Sequence, residues 1–473
     1  MNVPPTIPAP AGEVREFKRE MTLFDSMMIV MGAMIGSGIF IVSADIARTV
    51  GSAGLLLLVW LITGVVTIIG ALSYGELAGM MPHAGGLYVY LREAYNPLTG
   101  FLYGWTTFLV IQTGTIAAIS VAFAKFTGLL IPWFSERHVL LTVLGLKITA
   151  AQVLAIGVLV LLTLVNMRGL RTGKMIQAVF TVTKTIALIG LIALGFIVGA
   201  NAAAIKANWA GFWKASWTHL ADGRVLSVEP LTGLMVLAAM GAAMVGSLFA
   251  SDSWYQVTYI AGEVKNPRRN IPLSLALGAG IVILLYILAN LAYVLILPVQ
   301  GSPEAADVMG RGIQFAASDR VGTAAASMIF GAPAAIIMAV LIMISTFGCS
   351  NGQILAGARV YYAMAQDGLF FKARASSTRS RSRARPWSSN ASGPACCASR
   401  APTATSWTMS SSPSSSSSSS SSAGSSSSGR NGPTPSGPTR PGATRSCRPS
   451  TSSSPRPSPS TCSSSRRGTP FRA

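Results

Sequence analysis

The chain has 473 residues, of which 51% are hydrophobic and only 11% are charged. Soluble domains carry about 25% charged residues, so this composition argues against a soluble enzyme, a nucleic-acid-binding protein and a secreted disulfide scaffold. Fourteen arginines after residue 372 carry most of the formal charge of +20, because residues 1–372 hold 22 basic and 16 acidic side chains.

Long apolar stretches follow one another along the first 372 residues. A membrane-spanning helix needs about 20 mostly apolar residues. Eight such stretches occur, at about 24–47, 53–81, 97–130, 150–166, 174–199, 230–260, 271–298 and 328–363. The stretches are continuous and do not alternate with polar residues, which favours helices over a β-barrel. We therefore expect an all-α polytopic membrane protein with about eight transmembrane helices.

Basic residues concentrate in alternate loops between these stretches. The loops carry Lys18 and Arg19, Arg92, Arg168 and Arg171, and Lys265, Arg268 and Arg269. Basic loops remain on the cytoplasmic side of a membrane. We therefore expect a multi-pass protein of the inner (plasma) membrane, with residues 1–20 forming a cytoplasmic N-terminal arm.

The first stretch contains Gly36-Ser37-Gly38 near its centre. A glycine inside a helix costs about 1 kcal/mol relative to alanine, and it allows the backbone to unwind and a ligand to approach closely. Gly32 and Gly36 also form a G-x-x-x-G pair, which is typical of close helix packing. This motif alone fits a broken helix and a packing face equally well.

The sixth stretch carries an ionisable residue, Asp252, between Ser251 and Ser253. An ionisable side chain inside a membrane indicates a functional site. The interruptions in the first and sixth stretches occupy matching positions of two five-helix repeats. Such pairs of broken helices point to a transporter binding site near the middle of the membrane.

Four motifs, in this order, resemble the amino acid–polyamine–organocation superfamily, and in particular bacterial members of its L-type amino acid transporter branch. They read GAMIGSGIF (32–40), ALSYGELAGMMPHAGGLYVYLREAYNP (71–97), SLFASDSWYQVTYIAGEVKNPRRNIP (247–272) and STFGCSNGQILAGARVYYAMAQDGLF (345–370). The resemblance implies a leucine-transporter-type fold with twelve helices and an inverted five-helix repeat. It also implies sodium-independent movement of amino acids by alternating access.

The resemblance assigns the two interruptions to the two ends of an amino acid. Backbone N–H groups at the first one would bind the carboxylate, because a half-helix N-terminus favours an anion; its residues are Ile35, Gly36, Ser37 and Gly38. Carbonyl groups at the second one would bind the ammonium; its residues are Phe249, Ala250, Ser251, Asp252 and Ser253. Phe249 would be the aromatic outer gate, with ordinary helix packing as the alternative. Asp252 would pair with the ammonium, carry a proton or cap the following half-helix.

Lys184 lies within the apolar run of the fifth stretch. It is about 15 Å along a helix from Lys174, so its ammonium would reach the membrane surface only with difficulty, and a buried lysine is costly. In sodium-independent relatives a lysine at this position replaces a sodium ion, and the resemblance places Gly32, Gly36 and Ser345 beside it. Lys184 would therefore be the coupling residue, with proton symport and plain exchange both open.

The composition changes abruptly after residue 372, and 36 of the residues 373–473 are serine. Such a segment cannot bury enough apolar surface to fold. We expect an incomplete permease domain at 21–372 and a disordered tail at 373–473 produced by a reading-frame shift, because codons ending in TC become serine codons when read one base later. A chain that lacks the last helices would transport poorly. A genuine cytoplasmic tail is the alternative.

The expected function is sodium-independent amino acid transport, as a permease or an exchanger. The expected partners are an amino acid, protons and the lipid bilayer, and not nucleic acid. A nutrient sensor on the same fold that does not transport is the alternative. The sequence has no P-loop, nucleophile elbow, catalytic carboxylate pair or metal-ligating cluster, so we expect no enzyme activity, no cofactor and no metal.

Overall fold

The structure is a computed structural model that describes residues 18–143, 146–221 and 224–371. The predictions for residues 1–17 and for the tail at 373–473 fall outside these ranges. The helices within them are α1 Leu23–Met34, α2 Val42–Val50, α3 Ala53–Met80, α4 Leu87–Ala94, α5 Pro97–Thr106, α6 Gln112–Leu130, α7 Ala150–Met167, α8 Leu170–Ile197, α9 Ala202–Ala210, α10 Leu234–Ala250, α11 Pro267–Ile296, α12 Val308–Arg311, α13 Val321–Phe330 and α14 Ala334–Gln366.

Seven helical segments of the described chain are long and apolar enough to cross a membrane. They are Ala53–Met80, Pro97–Leu130, Ala150–Met167, Leu170–Ile197, Leu234–Glu263, Pro267–Ile296 and Ala334–Gln366. Each matches a predicted stretch, which confirms a mostly helical polytopic membrane protein. The first predicted stretch differs, because the structure divides it into the shorter helices α1 and α2.

The first interruption separates α1 from α2. Helix α1 begins with a capping box in which Thr22 and Asp25 satisfy each other's backbone N–H groups, and it ends at Met34. Ile35 is extended, with φ −73° and ψ 92°. A single 3₁₀ turn, Gly38–Phe40, leads into α2. The predicted unwinding at this glycine-rich segment is therefore present.

The second interruption follows α10. This helix ends at Ala250, and Ser253 adopts the left-handed region with φ 74°. A 3₁₀ segment, Trp254–Glu263, continues the chain to α11, which begins at Pro267. The sixth stretch is therefore also broken, at the residues around Asp252.

The remaining elements complete the connections between the long helices. A π-helical turn, Thr107–Ile111, joins α5 and α6 into one span. Two antiparallel hairpins were not predicted; they pair β1 (Val139–Val143) with β2 (Leu146–Thr149) and β3 (Ser216–Ala221) with β4 (Arg224–Pro230).

The buried core surrounds α1, which packs against α8, α11 and α14. Close approach depends on small residues, since a Cβ added to Gly278 would lie 2.8 Å from Val30. The outer faces of the long helices instead expose large apolar side chains such as Ile69, Ile186 and Leu237. Apolar outer faces suit contact with lipid chains, so the polar groups inside the bundle determine the candidate site.

Candidate functional site

Lys184 of α8 reaches the end of the first half-helix. Its Nζ donates to the carbonyl oxygens of Gly32 at 2.7 Å and Ile35 at 2.6 Å, and more distantly to that of Ser345 at 3.4 Å. The side chain is only 3% exposed. The ammonium therefore satisfies carbonyl groups at the C-terminus of α1, where the helix dipole favours a cation.

Two of the three predicted neighbours of Lys184 are direct partners, namely Gly32 and Ser345. Within the described ranges Lys184 donates no hydrogen bond to Gly36; the Gly36 carbonyl accepts from the Ser345 hydroxyl at 3.1 Å, and that hydroxyl also donates to the Ile35 carbonyl at 2.9 Å. Ile35 takes the predicted place of Gly36 because its extended backbone turns its carbonyl toward α8. Lys184 and Ser345 thus fix the unwound segment to α8 and α14.

The glycines of the first half-helix differ in how closely they are packed. A Cβ on Gly32 would lie 2.0 Å from Gln177 Nε2 and 2.3 Å from Thr181 Oγ1. A Cβ on Gly36 would have no neighbour closer than 4.0 Å. Gly32 therefore lies at a close contact between α1 and α8, whereas the segment at Gly36 is open.

The two interruptions lie against each other. A Cβ on Gly38 would be 2.8 Å from the Cβ of Ala250. The Tyr286 hydroxyl, from α11, lies between the two helix ends and is within hydrogen-bonding distance of the carbonyls of Met34 at 2.9 Å and Ala250 at 3.3 Å. Sequence reasoning missed Tyr286; its only signal was a phenol within an apolar stretch.

The backbone groups at the two interruptions lie outside regular α-helices. In the described ranges, the N–H groups of Gly36, Ser37 and Gly38 donate no hydrogen bond, while the carbonyls on α1 just before them are occupied. At the second interruption, Ser251 is the C-cap of α10 and Asp252 follows it, so neither residue lies within a helix. The arrangement offers N–H donors from one segment and carbonyl acceptors from the other.

A cavity of about 410 Å³ opens at the second interruption, beside α3. Its lining includes Phe249, which is 53% exposed, Ser251 and Asp252. Asp252 is exposed at this cavity. The N-cap position of the following 3₁₀ segment belongs to Ser253, whose side chain makes no capping bond.

Buried amides join the second interruption to the helices around it. Gln353 of α14 donates to the Ser253 hydroxyl at 3.0 Å, and its side-chain oxygen accepts from Gln112 of α6 at 3.0 Å and from Gln256. Gln256 Oε1 has no partner. Sequence reasoning missed this network, although amides inside apolar stretches were its visible signal.

A second set of buried amides reaches α1. Asn166 of α7 donates to Asn351 of α14 at 2.9 Å, and Asn351 donates to Gln177 of α8 at 2.9 Å. Thr181, one turn further along α8, donates to the Met28 carbonyl of α1 at 3.1 Å. Four polar residues of α8 therefore face α1 along its length: Lys174, Gln177, Thr181 and Lys184.

The end of the molecule that contains Met21 holds the two broken helices together; we call it the arm end. Met21 and Val264 form a parallel β-bridge, with Met21 N donating to the Glu263 carbonyl at 3.0 Å. The buried carboxylate of Glu263 pairs with Arg359 of α14, with N–O distances of 3.1 and 3.2 Å. Lys174 binds Asp25 at 2.9 Å. Each broken helix is therefore tied by one ion pair to a neighbouring helix.

Asp367, just beyond α14, receives the hydroxyl of Tyr88 at 2.6 Å and also pairs with Arg92. Burial, followed by the bond to Asp367, raises the pKa of Tyr88 above its ordinary value. The phenol therefore stays protonated and continues to donate at neutral pH. This contact fixes α4 against the end of α14.

Comparison with known proteins agrees with the motifs. A family described as amino acid permease matches residues 21–391. The serine/threonine exchanger SteT of Bacillus subtilis (strain 168) is 29% identical over 349 residues, covering 74% of this chain and 68% of that protein. The large neutral amino acids transporter small subunit 2 of Mus musculus is 31% identical over 351 residues, covering 74% of this chain and 59% of that protein.

The fold is also similar to a solved structure of MHP1, a nucleobase-cation-symport-1 family transporter, with a TM-score of 0.45 and 11% sequence identity. The match covers 82% of this chain and 74% of that chain. The chain spans less than two thirds of the length of the mouse relative. The family match itself covers most of this chain, from residue 21 onward. The chain therefore belongs to the amino acid permease family.

Proposed function

We propose that this protein is a sodium-independent amino acid transporter that works by alternating access. The observation that carries the proposal is the contact between the two interrupted helices. N–H groups at Gly36–Gly38 would suit the carboxylate of a zwitterion, and carbonyls at Ser251 and Asp252 would suit its ammonium. The relatives, named as a serine/threonine exchanger and a large neutral amino acids transporter, support the same substrate class.

The position of Lys184 supports sodium independence. Unwound carbonyls at half-helix C-termini bind sodium in many transporters of this architecture. Here the carbonyls of Gly32 and Ile35 accept from the Lys184 ammonium at 2.7 and 2.6 Å. A fixed ammonium supplies the positive charge that a sodium ion would otherwise bring.

Alternating access requires parts of both broken helices to move against their neighbours. The β-bridge between Met21 and Val264 would make the two half-helices at the arm end move together. The ion pairs Asp25–Lys174 and Glu263–Arg359 would open and close that end. We place the arm end in the cytoplasm and the protein in the inner membrane, because Lys174 and Lys265 lie beside the arm and basic loops stay inside.

Replacing Gly38 with valine should abolish amino acid binding. The added side chain would collide with Ala250, since even a Cβ lies 2.8 Å away, and the two interruptions would separate. The measurement is calorimetric titration of the purified chain in lipid nanodiscs with a mixture of amino acids. Gly241→Val is the matched control, because no atom lies within 4 Å of a Cβ there. Equal binding by both variants would contradict the site.

Binding should be unchanged when sodium is replaced by choline. The reason is that the Lys184 ammonium already occupies the carbonyl oxygens at the end of α1. The same titration in sodium chloride and in choline chloride gives the comparison. A drop in affinity of tenfold or more in choline would show that the protein needs sodium.

A further inference from the structure

Helix α9 is fixed to the end of α11 by one buried side chain. The side-chain nitrogen of Asn208 donates to the carbonyl oxygens of Val294 at 2.7 Å and Leu297 at 2.9 Å. Its side-chain oxygen accepts the backbone N–H of Val299 at 2.8 Å. These bonds satisfy carbonyl groups where α11 ends. Because α8 begins beside the arm end and leads into α9, helix α9 lies at the opposite end of α8.

The residues that follow α9 are held just as closely. The carbonyl oxygen of Phe212 accepts the backbone N–H of Gly54, in the first turn of α3, at 2.8 Å. A Cβ on Gly54 would lie only 2.6 Å from the same oxygen. The ring of Phe212 contacts Trp209 and Trp213, with ring centroids 5.0 Å away in both cases. Both indole rings are therefore attached to the fold through Phe212.

The outward side of this segment is aromatic and basic. Trp209 and Trp213 are 72% and 62% exposed. Lys206 and Lys214 are also exposed, and they belong to none of the ion pairs formed by the described residues. The sequence has no Asp or Glu from residue 199 to residue 220. We call these four side chains the α9 surface; its chemistry is complementary to an anion with an apolar portion.

The α9 surface continues the part of the protein that faces lipid. Helix α8 is long and apolar enough to cross a membrane, and at its end Ile197 and Val198 are 79% and 62% exposed. Only three residues separate Val198 from α9. Tryptophan and lysine side chains at the end of a span occupy the headgroup layer, where the ring is half in hydrocarbon and the ammonium reaches phosphate. Continuity with the lipid-facing side of α8 therefore favours lipid over a soluble partner.

We propose that the α9 surface binds the headgroup of an anionic phospholipid. The ammonium groups of Lys206 and Lys214 pair with the lipid phosphate, and the rings of Trp209 and Trp213 lie against the start of the acyl chains. A zwitterionic headgroup carries its own cation, which the two lysines repel, so the surface selects lipids with net negative charge. The inference uses no residue of the two interruptions and is independent of the proposed function.

The experiment measures contact between tryptophan and lipid in nanodiscs that hold one copy of the full chain. The discs consist of phosphatidylcholine with a small fraction of brominated lipid, either phosphatidylglycerol or phosphatidylcholine, with bromine close to the headgroup. The difference from a Trp209→Phe, Trp213→Phe variant isolates the quenching of these two rings. Brominated phosphatidylglycerol should quench them about fivefold more per lipid, the preference expected from one lysine beside an anionic headgroup.

The variant that tests the charge is Lys206→Gln with Lys214→Gln. It should quench equally with both brominated lipids, because the rings remain while the cations are gone. Lys147→Gln is the matched control, since Lys147 is an exposed lysine of β2, just before α7, at the same end of the molecule. This control should keep the preference for phosphatidylglycerol.

Four results would overturn the proposal. They are equal quenching by the two lipids in the parent, a preference that survives the double lysine variant, a preference lost in Lys147→Gln, and a preference that inorganic phosphate abolishes. The last result would mean that the surface binds a free anion and not a lipid. If the two rings become shielded only in discs that hold two copies, a second copy of the chain covers the surface, and the proposal also fails.

Discussion

Replacing Glu263 with glutamine should lower the free energy of unfolding by about 3–5 kcal/mol, because it removes one charge from a buried ion pair with Arg359. Glu263 and Arg359 are 4% and 8% exposed, and the carboxylate receives both Nε and Nη2 of the arginine. The measurement is a denaturant titration of the purified protein in mixed micelles.

The control for this prediction is Glu93→Gln. Glu93 also pairs with an arginine, Arg92, at 2.8 Å, but its side chain is 55% exposed. Exposed ion pairs contribute about 0–1 kcal/mol, so this variant should unfold almost like the parent. A cost for Glu263→Gln no larger than that of Glu93→Gln would contradict the burial of the pair.

The double variant Glu263→Leu with Arg359→Met separates charge from packing. Replacing both members of a buried ion pair by apolar residues is often neutral, so the double variant should recover much of the stability lost in Glu263→Gln. Because this pair ties the second broken helix to α14, the double variant should also expose the arm end more readily. The measurement is the rate at which a thiol reagent modifies the buried Cys349, in a protein whose tail cysteines have been replaced. A faster rate in the double variant than in the parent would show that the arm end opens more readily.

Replacing Gly32 with alanine should destabilise the protein by about 1–3 kcal/mol and abolish amino acid binding. The new Cβ would need to lie 2.0 Å from Gln177 Nε2 and 2.3 Å from Thr181 Oγ1. Helix α1 would move away from α8, and Lys184 would lose its bonds to the Gly32 and Ile35 carbonyls. Denaturant titration and calorimetry measure the two effects.

Gly36→Ala is the matched control, since it makes the same change one turn further along. No atom lies closer than 4.0 Å to a Cβ at Gly36, and its backbone does not need a positive φ. Its stability should therefore change by less than about 0.5 kcal/mol. If Gly32→Ala and Gly36→Ala lowered the free energy of unfolding equally, the cause would be the loss of glycine's backbone flexibility. The contact between α1 and α8 would then not explain the result.

The sequence by itself determined the elements that depend on local composition. Apolar length predicted the spans, because a helix must satisfy its own backbone groups in lipid. Gly36-Ser37-Gly38 and the polar residues around Asp252 predicted both interruptions, since these residues weaken a helix wherever it lies. Lys184 was visible as a charge within an apolar run, and its partners Gly32 and Ser345 came from the family resemblance.

Only the tertiary structure decided which distant groups meet. Tyr286 joins the ends of both broken helices, and Arg359 pairs with a carboxylate 96 residues earlier in the chain. Ile35, and not Gly36, binds Lys184 because the local backbone angle turns one carbonyl toward α8. Residue type gives each group its need for a hydrogen bond, but packing between helices selects the partner, because that choice depends on distances that no local pattern contains.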